Sequence, residues 1–300
     1  MNSLAPFLSA FELHRDFSDA VFKIPGVTGV GIGYCEQNGK LTDEPCIKVA
    51  IRNSRGFNYP AIPTSHALKF GSERFQLPVE FLELGEIELQ ASPSGGLHTY
   101  TQSGQYFETA TACCLVSAGG TGRFLLGCAH AFALMRTHGR PHESGFRAYS
   151  TAADDSGFHN HVGMLASVAD GNVVDAALVY ANNNVSPRYT GNRQFTGVVP
   201  RSRLLSSYNM FTRSGIKGLH LDMVGRVNHP IGGAIANYDS VLISRPHSRE
   251  SSAGDSGAPL VSGQGELLGM HFGKATSGHA LAFRIQDVFQ AFSPNLQLIV

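Results

Sequence analysis

The chain has 300 residues, 42% hydrophobic and 15% charged, with 23 basic and 23 acidic side chains and no tryptophan. That length fits one large or two ordinary domains with a real core. The zero formal net charge gives no electrostatic footprint for nucleic acid or an anionic membrane, so neither is expected as a partner.

Residues Met1 to Ala10 carry no basic run ahead of an apolar stretch, so they do not read as a signal peptide. No stretch approaches the ~20 apolar residues of a membrane-spanning helix, and a cytoplasmic location is the expectation. Phe7, Phe11, His14, Phe17, Ala20 and Val21 recur mostly at spacings of three and four. This predicts one short amphipathic helix ending before Pro25-Gly26.

Val27 to Tyr34 reads as a glycine-rich strand, Asn38-Gly39 as a turn, Cys46 to Ile51 as the next strand and Phe81 to Leu89 as another. Ser92-Pro93-Ser94-Gly95-Gly96 is the most linker-like run in the chain. Residues 1–95 are therefore expected to form a small α/β domain, and residues 96–300 a second one. The glycines between Gly26 and Gly33 lack the Gly-Lys-Ser/Thr ending of a phosphate loop and any Rossmann setting. No nucleotide or other cofactor is expected. A strand with glycines on one face, packed closely by a helix, is the better reading.

Five cysteines, Cys35, Cys46, Cys113, Cys114 and Cys128, include no C-x-x-C pair. Neither a disulfide framework nor a metal site is expected. The neighbours Cys113 and Cys114 should point to opposite faces of a strand, with at most one in the core.

From Thr109 onward short strand-like pieces come often: Thr111–Ser117, Phe124–Gly127, His161–Val168, Ala176–Tyr180, Leu219–Val227, Ser240–Ile243, Pro259–Val261, Leu267–Phe272 and Ala280–Ile285. Helical patterns are confined to Ala129–Met135 and Ile285–Phe292. Many short strands without alternating long helices predict an antiparallel barrel or sandwich.

Gly254-Asp255-Ser256-Gly257-Ala258-Pro259 lies just before the apolar Leu260-Val261. A serine in such a tight turn presents its hydroxyl beside backbone N–H groups, as an acyl-transfer nucleophile requires. The hydroxyl needs a base, and the base needs a group that fixes its tautomer. His130 sits where a strand ends and a short helix begins, flanked by small residues. Asp175 lies in the apolar run Val173 to Val179, where a carboxylate is costly without a partner. The blander alternatives are a surface histidine at a helix start and a turn aspartate opening a strand.

These segments resemble the chymotrypsin/trypsin-like serine proteases. Leu126-Gly127-Cys128-Ala129-His130 is similar to their histidine motif, Asp175-Ala176-Ala177-Leu178 to their aspartate segment and residues 254–259 to their serine motif. Gly269-Met270-His271-Phe272-Gly273 resembles the strand that follows the serine. The order His, Asp, Ser is also that of the clan. The resemblance spans roughly residues 105–297. It implies a double six-stranded antiparallel barrel preceded by the small α/β N-terminal domain, and a serine endopeptidase acting on protein or peptide substrates. His130 would be the general base, Asp175 its orienting group and Ser256 the nucleophile. The N–H groups of Gly254 and Ser256 would form the oxyanion hole. A catalytically silent binding or structural module on the same fold is the alternative. The chain departs from secreted relatives in having Ala131 after the histidine and no cysteine beyond Cys128.

The resemblance also implies a primary pocket lined by Glu250, Met270, His271, Phe272, Gly273 and His279. The Gly-Met-His-Phe-Gly segment is similar to that of glutamate-specific members, which makes His271 a candidate receiver for an acidic side chain. Glu250 argues for a basic one. The N-terminal stretch Val27 to Gly33, with Thr42-Asp43-Glu44, resembles a small domain found ahead of some bacterial trypsin-like domains. An intramolecular contact between it and the protease domain is expected.

Overall fold

The computed structural model describes residues 4–13, 15–89, 97–100, 108–119, 122–132, 147–150, 160–170, 174–181, 188–189, 193–212, 215–231, 234–247, 251–252, 255–293 and 295–300. Two helices open the chain, α1 (Ala5–Leu13) and α2 (Arg15–Val21), where one was expected. Strands β1 (Val27–Gln37), β2 (Lys40–Ile51), β3 (Ser65–Phe70), β4 (Glu73–Glu83) and β5 (Ile87–Leu89) follow. Next come β6 (Leu97–Tyr100), β7 (Glu108–Ala110), β8 (Cys114–Ala118), β9 (Arg123–Gly127) and the short helix α3 (Ala129–Phe132). The middle of the chain holds β10 (Arg147–Ser150), β11 (Asn160–Asp170), β12 (Asp175–Tyr180), β13 (Arg188–Tyr189), β14 (Arg193–Gln194) and β15 (Gly197–Val198). The last part holds β16 (Ser207–Thr212), β17 (Gly215–Ile231), β18 (Ala234–Pro246), β19 (Pro259–Val261), β20 (Glu266–Ala275), β21 (Ala280–Arg284), α4 (Ile285–Phe292) and β22 (Leu296–Leu298).

The fold is mostly β, in two large sheets. In one, the strands run β16-β19-β20-β21-β18-β17, and β16 also pairs with β17. Every pairing in this ring is antiparallel, so it closes as a six-stranded barrel. Closure leaves the ring without an unpaired edge. Its interior holds Phe272 stacked on Phe283 at 4.2 Å, with Tyr238 edge-on to both. The other sheet runs β22-β8-β9-β12-β11-β10-β6-β7 and is antiparallel throughout. Its eight-strand path has no closing pair among the described residues.

The N-terminal strands do not form a sheet of their own. β17 is long enough to serve two neighbours: residues 215–220 pair with β16, and Met223 to Val227 pair with Gly33 to Gly29 of β1. From β1 the sheet continues through β2 and β4 to β3. The sheet therefore runs from the barrel strands into strands on the other side of the division expected near residue 95, a position that lies outside the described residues. Pairing is parallel between β2 and β4 and between β15 and β20, so this sheet is mixed. Gly31 lies opposite Gly225, and a Cβ on Gly31 would sit 2.3 Å from the Val224 carbonyl oxygen. The glycines of β1 thus admit the backbone of β17, where a helix was expected.

Asn38 and Gly39 have φ of +53° and +76°, and Gln37 lies opposite Lys40. This is the two-residue hairpin the Asn-Gly pair predicts. The strand expected from Phe81 to Leu89 is broken at Gly85 (φ +78°) into the end of β4 and β5. All five cysteines are buried free thiols. Cys113 and Cys114 both lie in the core, against the expectation for one of them, because Cys113 precedes β8 and escapes its alternation. No helix among the described residues is long and apolar enough to cross a membrane.

Candidate active site

β9 and β12 are antiparallel neighbours, with Gly127 opposite Ala177. The chain leaving β9 turns into α3 and places His130 at the end of the sheet where β12 begins with Asp175. Strand pairing thus joins two residues 45 positions apart. Asp175 is 4% exposed. Its Oδ1 accepts the His130 backbone N–H at 2.9 Å, and its Oδ2 makes a close contact with His130 Nδ1. A buried carboxylate on Nδ1 holds the ring with Nε2 free to accept a proton. Nε2 lies 2.8 Å from Ser256 Oγ.

Ser256 comes from the turn before β19, in the barrel. Gly257 N–H donates to the His271 carbonyl at 2.7 Å, and His271 N–H to the Ala258 carbonyl at 2.9 Å. Thr111 N–H donates to the Ser256 carbonyl at 2.8 Å. Gly257 has φ of +91°, and a Cβ there would fall 1.7 Å from the Thr111 carbonyl oxygen. Glycine is required at that position both by conformation and by the approach of the segment between β7 and β8. The Ser256 hydroxyl also reaches the Phe272 carbonyl at 3.0 Å. The three residues picked from the sequence therefore meet in one hydrogen-bonded line.

The chain is similar in structure to bacterial chymotrypsin-like serine proteases. Thermobifida fusca protease A matches at 17% identity over 69% of this chain and 97% of its own, with a TM-score of 0.47. Nocardiopsis protease matches at 16% over 69% and 98%, with a TM-score of 0.45. Cellulomonas bogoriensis chymotrypsin matches at 13% over 64% and 98%, with a TM-score of 0.40. No family model and no curated protein matches the sequence.

Two supporting groups escaped the sequence reading. Asp255 is buried, and its Oδ2 accepts from Lys217 Nζ at 2.6 Å, Ser252 N–H at 2.8 Å and Ser252 Oγ at 3.1 Å. Lys217 is itself 5% exposed. This ion pair ties the turn to β17. Lys217 lies just before the strand expected from Leu219 to Val227, so no strand pattern pointed to it. His229, also on β17, is buried with Nδ1 unpartnered. Burial pushes its pKa down to about 4 against the opposing charge of Asp175, with His130 adding to the fall.

The expected pocket residues divide. Met270 and Phe272 point into the barrel core and do not line open space. His271 is fully buried, and its pKa is pushed down to about 4 by burial, so its ring is neutral near pH 7. His279 is buried too, with Nε2 2.9 Å from Asp222 Oδ2 and Nδ1 2.8 Å from Ser277 Oγ. Burial works to raise the Asp222 carboxyl, but the His279 hydrogen bond and the charges of His279, Arg245 and Lys48 outweigh it and hold it low. Gly273 pairs with Leu89 of β5. Gly254 and Glu250 lie outside the described residues.

A cavity of about 740 Å³ is lined by residues that include the charged Glu12, Arg201, Arg226 and Asp287, and by none of the expected pocket residues. Among the described residues one group has metal-ligand character: Cys35, Cys46 and Glu80 bring their ligand atoms within 4.8 Å of one another. There the Lys48 ammonium, 3.2 Å from Glu80 Oε2, already balances the carboxylate.

Proposed function

We propose that the protein is a serine endopeptidase that hydrolyses peptide bonds in protein or peptide substrates. Ser256 Oγ attacks the scissile carbonyl while His130 Nε2 takes its proton. His130 then gives that proton to the leaving amine, and an acyl-enzyme remains on Ser256. Water, deprotonated by His130, releases the acid and restores the serine. Asp175 fixes the tautomer and offsets the charge of the imidazolium. The N–H groups of Gly254 and Ser256 are assigned to the oxyanion, a contribution of about 3 kcal/mol per donor.

The observation that carries this reading is the bridging ring of His130, held on Nδ1 by a buried carboxylate and 2.8 Å from a serine hydroxyl on Nε2. A second reading, a protease-like module that binds without cleaving, draws support from one fact: Ser256 is 0% exposed. A fluorophosphonate probe with peptide mapping separates the two. Labelling at Ser256 is expected, lost in Ser256→Ala and reduced by at least about 10⁴ in rate in His130→Ala. Folded protein that takes no label would favour the binding module.

A further inference from the structure

β1, β2 and β4 are consecutive neighbours in the mixed sheet, and three ligand-type side chains from them converge. Cys46 and Lys48 lie two positions apart on β2, so both point to the same side. Lys48 stands opposite Glu80 in the parallel β2–β4 pair, and Cys46 stands opposite Gly33 in the antiparallel β1–β2 pair. The β1–β2 register shifts between Tyr34 and Glu36, which puts Cys35 in the irregularity. Bulges of this kind re-aim a side chain. Cys35 Sγ comes within 4.8 Å of both Cys46 Sγ and a Glu80 carboxylate oxygen.

The spacing suits a tetrahedral ion. Zinc, with Zn–S of about 2.3 Å and Zn–O of about 2.1 Å, sets a sulfur and an oxygen ligand about 3.6 Å apart. Cys46 Sγ lies 3.7 Å from Glu80 Oε2. The Glu36 N–H donates to Glu80 Oε2 at 3.0 Å and to Oε1 at 3.3 Å, the outer hydrogen bonding that holds a ligating carboxylate in place. Lys48 Nζ balances that carboxylate while both cysteines are thiols. On a divalent ion the cysteines become thiolates and release two protons. The two sulfurs, the carboxylate, the ion and the Lys48 ammonium then again carry no net charge. Both thiols are buried, but the Glu80 side chain is 29% exposed. With Glu36 and Lys48 it lines a cavity of about 350 Å³, which gives an ion a way in.

We propose that Cys35, Cys46 and Glu80 bind one zinc ion, with a water from this cavity completing the tetrahedron. Two sulfurs beside one carboxylate favour zinc over magnesium or calcium, which take oxygen ligands. The ligands come from three strands, so the ion ties β4 to the β1–β2 hairpin. They form no short motif, because a strand register rather than a sequence spacing brings them together. The site shares no residue with the line from Asp175 through His130 to Ser256, and it stands or falls apart from the hydrolytic reading.

The test uses the full chain, stripped of metal with a chelator and kept reduced with a phosphine. After zinc is added and the excess removed by gel filtration, elemental mass spectrometry should find one zinc per chain. Zinc should also raise the Tm. Cobalt(II) in its place should give a thiolate-to-metal charge-transfer band. Cys46→Ala should weaken zinc binding by at least about 100-fold, beyond the loss of an outer-sphere partner. Glu80→Gln, at a partly exposed position, keeps the test open should Cys46→Ala fail to fold, and should weaken binding by at least about 10-fold. A reduced parent chain that retains no zinc would overturn the proposal. So would parental zinc affinity in either folded variant, since the ion would then sit on other residues.

Discussion

Among the joins between the barrel and the rest of the molecule, two seams differ in kind. On one side β1 adds directly to β17, and backbone hydrogen bonds carry the sheet across with glycine facing glycine at Gly31 and Gly225. On the other side the eight-stranded sheet meets the barrel mainly through side chains and single contacts. These include Thr111 N–H to the Ser256 carbonyl, Cys128 Sγ to the His271 carbonyl and the line from Asp175 through His130 to Ser256. A ladder seam opens only by breaking a sheet. A side-chain seam sets the relative position of three reacting groups and shifts with any one of them. The first should govern stability alone, the second stability and reactivity together. β17 belongs to both, with Lys217 near one end and His229 near the other.

The largest effect is expected at Lys217, whose ion pair inside the barrel holds the Ser256 turn that meets the reactive seam. Lys217→Met leaves Asp255 buried without its cation, and breaking one side of a buried pair costs about 3–5 kcal/mol. Because Asp255 precedes Ser256, the variant should also label more slowly with fluorophosphonate per folded molecule. Adding Asp255→Asn should recover part of the stability in urea melts. A Lys217→Met protein with parental stability and labelling rate would mean that the pair neither holds the turn nor bears on the serine.

On the ladder seam, Gly31→Ala places a Cβ 2.3 Å from backbone that cannot move without parting the strands. The expected loss is about 3 kcal/mol, or roughly 10 °C in Tm. Gly39→Ala is the matched control, since nothing lies within 4 Å of its Cβ and only the φ of +76° is unfavourable. It should cost about 1 kcal/mol. Labelling of Ser256 per folded molecule should be unchanged in both. If Gly31→Ala melts with Gly39→Ala, or changes the labelling rate, the contrast between the seams fails.

What the sequence made legible follows the same division. Pro259–Val261 and Ile285–Phe292 emerge with the bounds expected for them, because short apolar strands between turns and a strongly periodic terminal helix are local signals. His130, Asp175 and Ser256 were legible because each sits in a short motif whose neighbours are also constrained. The mixed sheet was not. Which strand β1 joins depends on β17, nearly 200 residues away, and the parallel β2–β4 pair leaves no mark on either strand's alternation. Met270 and Phe272 were expected to line the pocket because they lie on the strand that follows the serine. Both are buried in the core, and His271 between them is equally buried, so strand alternation does not sort this stretch. Lys217 and His229 were illegible for a further reason: both lie just outside the strand expected from Leu219 to Val227, and a polar residue there reads the same whether it faces water or a buried partner.

His229 carries a smaller expected effect than Lys217 or Gly31 and separates the seams by pH. In the unfolded chain an imidazole takes its proton near pH 6.5, whereas buried His229 does not until about pH 4. Between those values the unfolded state binds the extra proton, so stability rises with pH. The contribution is complete above pH 6.5 and is lost as the pH falls toward 4. For one histidine this amounts to about 2 kcal/mol between pH 7 and 5. His271, likewise lowered to about 4, acts in the same direction. His229→Gln should flatten the fall in urea midpoint from pH 7 to 5 by about that amount, while Gly31→Ala should shift both midpoints together and leave the slope alone. If His229→Gln keeps the parental slope, the acid sensitivity does not come from His229, and His271 on β20 is the other buried imidazole to test.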